Sequence, residues 1–193
     1  MKNTVKWGIT AALLAVIIIG ASLLYNNLSK EYSPEALLPS STSAPSAETS
    51  NPPDFSAPDF TVSDNTGNEV RLSDFKGKPI VLNFWATWCH YCKQGMPDFD
   101  KAYHEYPDVQ FLMVNATDGI QETFENAKNY VEEKGYSFDV FYDTSLDAVR
   151  AYYVTSFPVT YFIDSDGNLV TRGNGMLDYE SIEKGIAMIT ENN

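Results

Sequence analysis

The chain has two cysteines, Cys89 and Cys92, and they directly follow the apolar run "VLNFWATW". Such a run is typical of a strand buried on both faces, and the residues after it favour a helix. Cys89 therefore lies near a helix N-terminus, where the positive end of the helix dipole stabilises a thiolate over a thiol. A thiolate with a second thiol one turn away can attack a disulfide and then resolve the mixed disulfide, so this spacing favours thiol–disulfide exchange.

A structural bridge and a metal site are the two other uses of such a pair. A bridge that closes a loop of about four residues gains only about 2 kcal/mol on the chain-entropy model, which is little for a staple. A metal site would take His90 and His104 as further ligands. His104 lies about 18 Å further along a continuous helix, however, so it is out of reach. Copper capture by the two cysteines and a donor from elsewhere stays open as an alternative.

The distribution of charge separates the beginning of the chain from the rest. Residues 1–25 carry two lysines followed by an uncharged apolar run, which predicts a membrane anchor with its N-terminal side in the cytoplasm. A removable signal peptide is the alternative. Residues 26–53 are rich in Ser, Pro and Ala and predict a disordered tether. Residues 54–193 then form a folded domain outside the membrane, where disulfide chemistry can proceed.

The acidic balance of the chain excludes one class of partner. The net charge is −13, and so acidic a surface repels the phosphate backbone of nucleic acids and anionic lipid headgroups. We therefore expect no nucleic-acid partner.

From residue 54 onward, apolar runs alternate with amphipathic segments. The pattern predicts a hairpin with its turn at 64–68, strands in "PIVLNFWA", "VQFLMVNA", "FDVFYD", "VTYFID" and "LVTRG", and helices over 92–106 and in "QETFENAKNYVEEKG", "SLDAVRAYYV" and "YESIEKGIAMI". This order predicts an α/β fold with a central mixed β-sheet, helices on both of its faces and an N-terminal β-hairpin.

Three features of the sequence resemble the thioredoxin fold, specifically its membrane-tethered extracytoplasmic TlpA/ResA-like branch in bacteria. They are "NFWATWCHYC", the Pro97 in the helix that follows, and "TSFPVTYFIDSDGNLV". The resemblance covers residues 54 to about 190. It implies that Cys89 is the exposed nucleophile and Cys92 the more buried resolving thiol. It also implies no metal and no cofactor other than a redox-active Cys89–Cys92 disulfide.

The resemblance further implies which residues meet the substrate. Trp88 matches the tryptophan that flanks the motif, and His90 and Tyr91 stand between the cysteines. Pro158 matches a cis-proline that faces the cysteines and lets the preceding backbone, at Phe157, pair with a bound substrate chain. Pro97 matches a proline that kinks the helix.

Two positions depart from the family pattern. Thioredoxin has a buried acid where this chain has Asn83, and ResA-like proteins have a glutamate where this chain has Gly95. Because both usual proton acceptors are missing, water, His90 or an acid from a loop has to accept the proton of Cys92. These departures weaken the inference that the substrate is apocytochrome c.

The sequence thus predicts a thiol–disulfide oxidoreductase tethered outside a bacterial plasma membrane by its N-terminal helix. We expect it to reduce disulfides or oxidised partner proteins with electrons from a membrane thiol transporter of the CcdA/DsbD type. A DsbA-like oxidase that forms disulfides is the nearest alternative, and a copper-handling module is the second. A peroxiredoxin is disfavoured because the Thr-x-x-Cys arrangement is absent.

We expect the substitution His90→Ala to lower the reduction potential of the cysteine pair. A protonated His90 beside Cys89 would stabilise the thiolate and therefore the reduced form, which makes the pair a better oxidant. The potential is measured by equilibrium with a redox buffer in both proteins. An unchanged potential in the variant would dispose of this role for His90.

Overall fold

A computed structural model describes residues 55–190 of the chain, which form one seven-stranded mixed sheet with helices. The strands are β1 (Thr61–Ser63), β2 (Glu69–Arg71), β3 (Ile80–Trp85), β4 (Gln110–Asn115), β5 (Val140–Tyr142), β6 (Val159–Ile163) and β7 (Leu169–Asn174). The helices are a 3-10 helix (Leu72–Phe75), α1 (His90–Glu105), α2 (Phe124–Lys134), α3 (Asp147–Ala151) and α4 (Tyr179–Thr190).

The anchor and the tether predicted for residues 1–25 and 26–53 lie outside the described residues. Within 55–190, no helix has the length and apolar character needed to span a bilayer.

The sheet has the order β2-β1-β5-β4-β3-β6-β7, so β3 lies inside it. β3 pairs with β4 in parallel and with β6 antiparallel. All six residues of β3 are buried, as expected for a strand covered on both faces.

Alternate residues of β3 enter two different hydrophobic clusters. Val81 and Trp85 belong to a cluster that also contains buried residues of α1, α2 and α4. Ile80, Leu82 and Phe84 belong to a second cluster, which contains residues of the 3-10 helix and α3. Because neighbouring side chains of a strand point to opposite faces, helices cover both faces of the sheet. The predicted fold class is therefore confirmed.

The predicted N-terminal hairpin is confirmed. β1 pairs antiparallel with β2, and the turn between them is closed by a hydrogen bond from the Asp64 N–H to the Asn68 carbonyl, 2.9 Å long. The side chain of Asp64 also accepts hydrogen bonds from the backbone N–H groups of Thr66 and Asn68. Such Asx interactions are what make aspartate a turn residue.

The bounds of two predicted helices differ from those in the structure. α1 begins at His90 rather than at residue 92, because the side chain of Cys89 acts as its N-cap. The helix predicted in "SLDAVRAYYV" is limited to Asp147–Ala151. It is bounded by Leu146 and closely followed by Tyr153, which have the left-handed φ angles of 55° and 49° that a helix does not tolerate.

Candidate redox-active site

The two cysteines form a disulfide at the point where β3 gives way to α1. Their Cα atoms are 5.3 Å apart, which is an ordinary separation for a disulfide. The sulfur of Cys89 also accepts a hydrogen bond from the backbone N–H of Cys92, with 3.1 Å between the two atoms. Cys89 is thus both the redox residue and the cap of the helix, and its sulfur lies at the positive end of the α1 dipole.

Cys89 is less exposed than the sequence indicated. Its exposed fraction is 6%, against 4% for Cys92, so the expectation of an exposed Cys89 is wrong for the disulfide form. The bridge directs the Cys89 sulfur toward Cys92, and both residues belong to the cluster that contains Trp85 and Met96. The exposed surface of the site is supplied by neighbouring residues instead.

Aromatic side chains surround the disulfide. Trp88 and Tyr91 are 47% and 62% exposed. The Trp88 ring packs edge-on against the ring of Phe157, with 5.7 Å between centroids. The structure therefore brings together two near-site residues that are far apart in the sequence.

The peptide bond between Phe157 and Pro158 is cis, as the resemblance implies. The carbonyl of Pro158 accepts a hydrogen bond of 2.9 Å from the N–H of Gly175. Within residues 55–190, the backbone N–H and carbonyl of Phe157 have no hydrogen-bond partner. These two groups are free to pair with another chain.

His90 is exposed at the start of α1. Its ring contacts the ring of Tyr91, with 5.6 Å between centroids, and in the described part of the chain it makes no hydrogen bond to Cys89. The structure therefore places His90 beside the disulfide without showing a bond to it.

Comparisons with known proteins agree with this geometry. The sequence profile of the AhpC/TSA family matches residues 54–172. The thiol-disulfide oxidoreductase ResA of Bacillus thuringiensis is 34% identical over 136 residues, which are 69% of this chain and 76% of the relative. The chain belongs to the ResA-type thiol-disulfide oxidoreductases.

A second ResA and a solved thioredoxin structure are also similar to this chain. ResA of Bacillus subtilis is 32% identical over 135 residues, 69% of this chain and 73% of the relative. The crystal structure of the exposed lipoprotein thioredoxin Etrx1 of Streptococcus pneumoniae has a TM-score of 0.60 and 32% identity, and the match covers 66% of this chain and 97% of that protein. The thioredoxin-like fold extends over the same region in both chains.

The structure explains how this ResA-type chain accommodates its two departures. Asn83 is buried, and its side-chain amide donates a hydrogen bond of 2.9 Å to the hydroxyl of Thr160 on β6. A neutral crosslink thus stands where thioredoxin has an acid. A Cβ atom at Gly95 would lie 3.2 Å from Cγ of Met176 and 3.4 Å from the Leu177 carbonyl oxygen. The segment after β7 therefore occupies the space that a glutamate side chain would need.

The sequence did not point to Glu122, an acid that is hydrogen-bonded to Thr87, two residues before Cys89. Glu122 follows β4 and is completely buried. Its Oε2 accepts hydrogen bonds from the N–H of Thr87, at 2.6 Å, and from the Thr87 hydroxyl, at 2.8 Å. The sequence left open that an acid from a loop accepts the proton of Cys92. The position of Glu122 was the available signal, because β3 and β4 are parallel and the loops that follow them lie at the same end of the sheet.

The environment of Glu122 raises the pKa of its carboxyl group. Burial is the largest cause, and the nearby charge of Asp118 adds to it, while the hydrogen bonds from Thr87 act in the opposite direction. The Asn115 side chain also lowers the pKa, although Asn115 Nδ2 and Glu122 Oε1 both lack a normal hydrogen-bond partner within the described residues.

No group of three or more His, Cys, Asp or Glu side chains within residues 55–190 is arranged to hold a metal ion.

We expect Glu122→Gln to change how the stability of the protein depends on pH. A raised pKa in the folded state means that the protonated carboxyl contributes stability below the ordinary glutamate pKa of about 4.3, and that this contribution is lost as pH rises through the raised value. The glutamine side chain does not titrate, so the Glu122→Gln variant lacks this loss of stability. The difference in unfolding free energy, variant minus original, should therefore rise with pH from about 4.3 upward.

The measurement is urea unfolding of the oxidised proteins over this pH range. Glu125→Gln is the matched control, because Glu125 is an exposed glutamate on the adjacent helix. A difference for Glu122→Gln that is the same at every pH would contradict the raised pKa.

Proposed function

We propose that this protein is a membrane-tethered, extracytoplasmic oxidoreductase that reduces disulfides in partner proteins. The observation that carries the proposal is the Cys89–Cys92 disulfide at the N-terminus of α1, in a cluster against which Phe157 of the cis Phe157–Pro158 bond packs. The reduced pair supplies two electrons, and the backbone groups of Phe157 supply a place for the substrate chain.

The reaction begins with the reduced pair. The thiolate of Cys89 attacks one sulfur of the substrate disulfide, which breaks that bond and releases one substrate thiolate that takes up a proton. Cys92 then gives its proton to water, and its thiolate attacks the sulfur of Cys89 in the mixed disulfide. The second substrate thiolate leaves and takes up a proton, and the Cys89–Cys92 disulfide forms. Two electrons have moved from the cysteine pair to the substrate.

The assignment of Cys89 as nucleophile follows from its position. Its sulfur is at the helix N-terminus, where backbone N–H groups without helical partners favour the thiolate. Cys92 lies one turn into α1, within the hydrophobic cluster, and serves as the resolving thiol. Both cysteines are buried in the disulfide form, so we expect reduction to expose the sulfur of Cys89.

The residues around the disulfide form the substrate contact. The rings of Trp88 and Phe157 pack against each other beside the motif. His90 and Tyr91 are both exposed, and their rings form a second contact. Pro158 holds the backbone of Phe157 where an extended substrate chain can add to it, in the manner of a strand added to a sheet edge.

An electron donor in the membrane is needed to regenerate the dithiol. Regeneration takes two electrons and two protons, and we assign this role to a membrane thiol transporter of the CcdA/DsbD type. Residues 1–25 would anchor the protein in a bacterial plasma membrane, and residues 26–53 would tether the catalytic domain, residues 54–193. The relative from Streptococcus pneumoniae is an exposed lipoprotein, which supports a location outside the cell membrane.

We expect Cys92→Ser to trap a covalent complex with a protein disulfide substrate. Without the resolving thiol, the mixed disulfide on Cys89 persists. The substrate is a disulfide-containing model protein such as insulin, and the adduct is measured by intact mass and by a non-reducing gel. Disulfide reduction driven by dithiothreitol should fall to the uncatalysed rate in the same variant.

Cys89→Ser is the matched control and should form no adduct at comparable concentration. An adduct through Cys92 in that control, with none in Cys92→Ser, would reverse the assigned roles. The absence of any adduct and of any catalysed reduction by the original protein would contradict the proposed function.

A further inference from the structure

Glu122 is a buried acid that the exchange reaction described above does not use. It lies in the loop between β4 and α2, and none of its surface is exposed. The loop is ordered by Asp118, whose Oδ1 accepts hydrogen bonds from the backbone N–H groups of Ile120, Gln121 and Glu122. The N–H of Gly119 also donates to the Glu122 carbonyl, at 2.9 Å. The loop thus has its own internal support and does not need the Glu122 carboxylate for it.

The carboxylate is bound instead to the segment that carries the redox motif. Its Oε2 accepts both hydrogen bonds from Thr87, one from the backbone and one from the hydroxyl. Thr87 immediately precedes Trp88 and Cys89. A second backbone hydrogen bond, from the Cys89 N–H to the Ala86 carbonyl at 3.2 Å, closes the same segment. The position of the Cys89 backbone is therefore tied to Glu122 through Thr87.

Hydrogen bonding alone does not account for a charged residue here. A glutamine could accept both bonds from Thr87 through its carbonyl oxygen. A buried carboxylate costs more to desolvate than an amide, and its second oxygen, Oε1, has no partner among the described residues. Asn115 Nδ2 is also without a hydrogen-bond partner among the described residues. The charge itself therefore needs an explanation.

We propose that Glu122 is a positioning residue of the redox site, which fixes the Thr87–Cys89 segment and places a buried negative charge near the sulfur of Cys89. This inference deepens the proposed function and rests on it. Two residues of chain span at most about 7 Å, so the carboxylate lies on the order of 10 Å from that sulfur.

The charge opposes the dipole of α1. An ionised carboxylate at this distance disfavours the Cys89 thiolate and therefore the reduced pair. The dithiol then gives up its electrons more readily, which suits a reductase. Among the described residues that bear on Glu122, Asp118 on the same loop is the charged neighbour, while Thr87 and Asn115 are neutral.

The test is the titration of Cys89 in the reduced full-length protein, followed through the pH dependence of its alkylation by iodoacetamide. Glu122→Gln keeps the acceptor for Thr87 and removes the charge. We expect it to lower the Cys89 thiol pKa by about one unit, the size expected for a charge about 10 Å away in a partly shielded site. The equilibrium with a dithiol buffer should move toward the reduced pair by up to about tenfold.

A second variant separates the positioning effect from the charge effect. Glu122→Leu removes both the charge and the bonds to Thr87, so we expect it to lower kcat/KM for insulin reduction several-fold below the value for Glu122→Gln. Both variants remove the charge, so a charge effect alone would give them the same kcat/KM. A higher kcat/KM for Glu122→Gln than for Glu122→Leu therefore indicates the positioning effect. If Glu122→Leu does not fold, Thr87→Val, which removes the hydroxyl donor, provides the same comparison.

Glu125→Gln is the control for loss of an exposed acid and should leave the titration unchanged. An unchanged Cys89 pKa and an unchanged equilibrium in Glu122→Gln, with normal exchange activity, would overturn the role of Glu122 and leave the proposed function intact. Absence of thiol–disulfide exchange activity in the original protein would instead contradict the proposed function.

Discussion

The position of the cysteine pair depends on the way β3 is held inside the sheet. β3 is paired along its length with β4, from Ile80 opposite Gln110 to Trp85 opposite Asn115, and with β6 on its other side. Trp85, its last residue, is buried, and its indole N–H donates to the Met113 carbonyl at 3.3 Å. A strand fixed on both edges and both faces leaves its C-terminal end little freedom. Cys89, four residues later, therefore caps the N-terminus of α1 at a defined place.

The directions of the strands determine what else meets the cysteines. β4 runs parallel to β3, so the loop that carries Glu122 emerges at the same edge as the redox motif. β6 runs antiparallel to β3, so Pro158, which precedes β6, lies at that edge as well. Three segments that are distant in sequence thus converge. The segment after β3 carries the two sulfurs, the segment before β6 has backbone groups without partners within residues 55–190, and the loop after β4 carries the buried Glu122. The exchange of a disulfide needs an electron source and a held substrate, and this convergence provides both.

Much of this arrangement could be predicted from the sequence because it depends on apolar pattern and on local chemistry. Three local patterns each encode one element. They are the mostly apolar run of β3, the turn residues around Asp64, and Gly135 at the end of α2. The cis bond at Pro158 followed from the resemblance, since the base rate of a few per cent for X-Pro bonds does not suggest it. The role proposed for Glu122 was not predicted, because its loop is polar and its contact with Thr87 exists only in the folded chain. The burial of Cys89 was missed for a similar reason, since it depends on the bridge and on the surrounding cluster.

The direction of electron flow depends on how the site balances opposing charges, and one measurement tests it most directly. The dipole of α1 favours the thiolate and an oxidising pair, whereas the buried Glu122 favours a reducing one. The measurement is the equilibrium reduction potential of the Cys89–Cys92 pair, titrated against a dithiol buffer and followed by tryptophan fluorescence. We predict a value below about −240 mV, near the thioredoxin end of the range. A value above about −180 mV would contradict the reductive function and indicate a donor of disulfides.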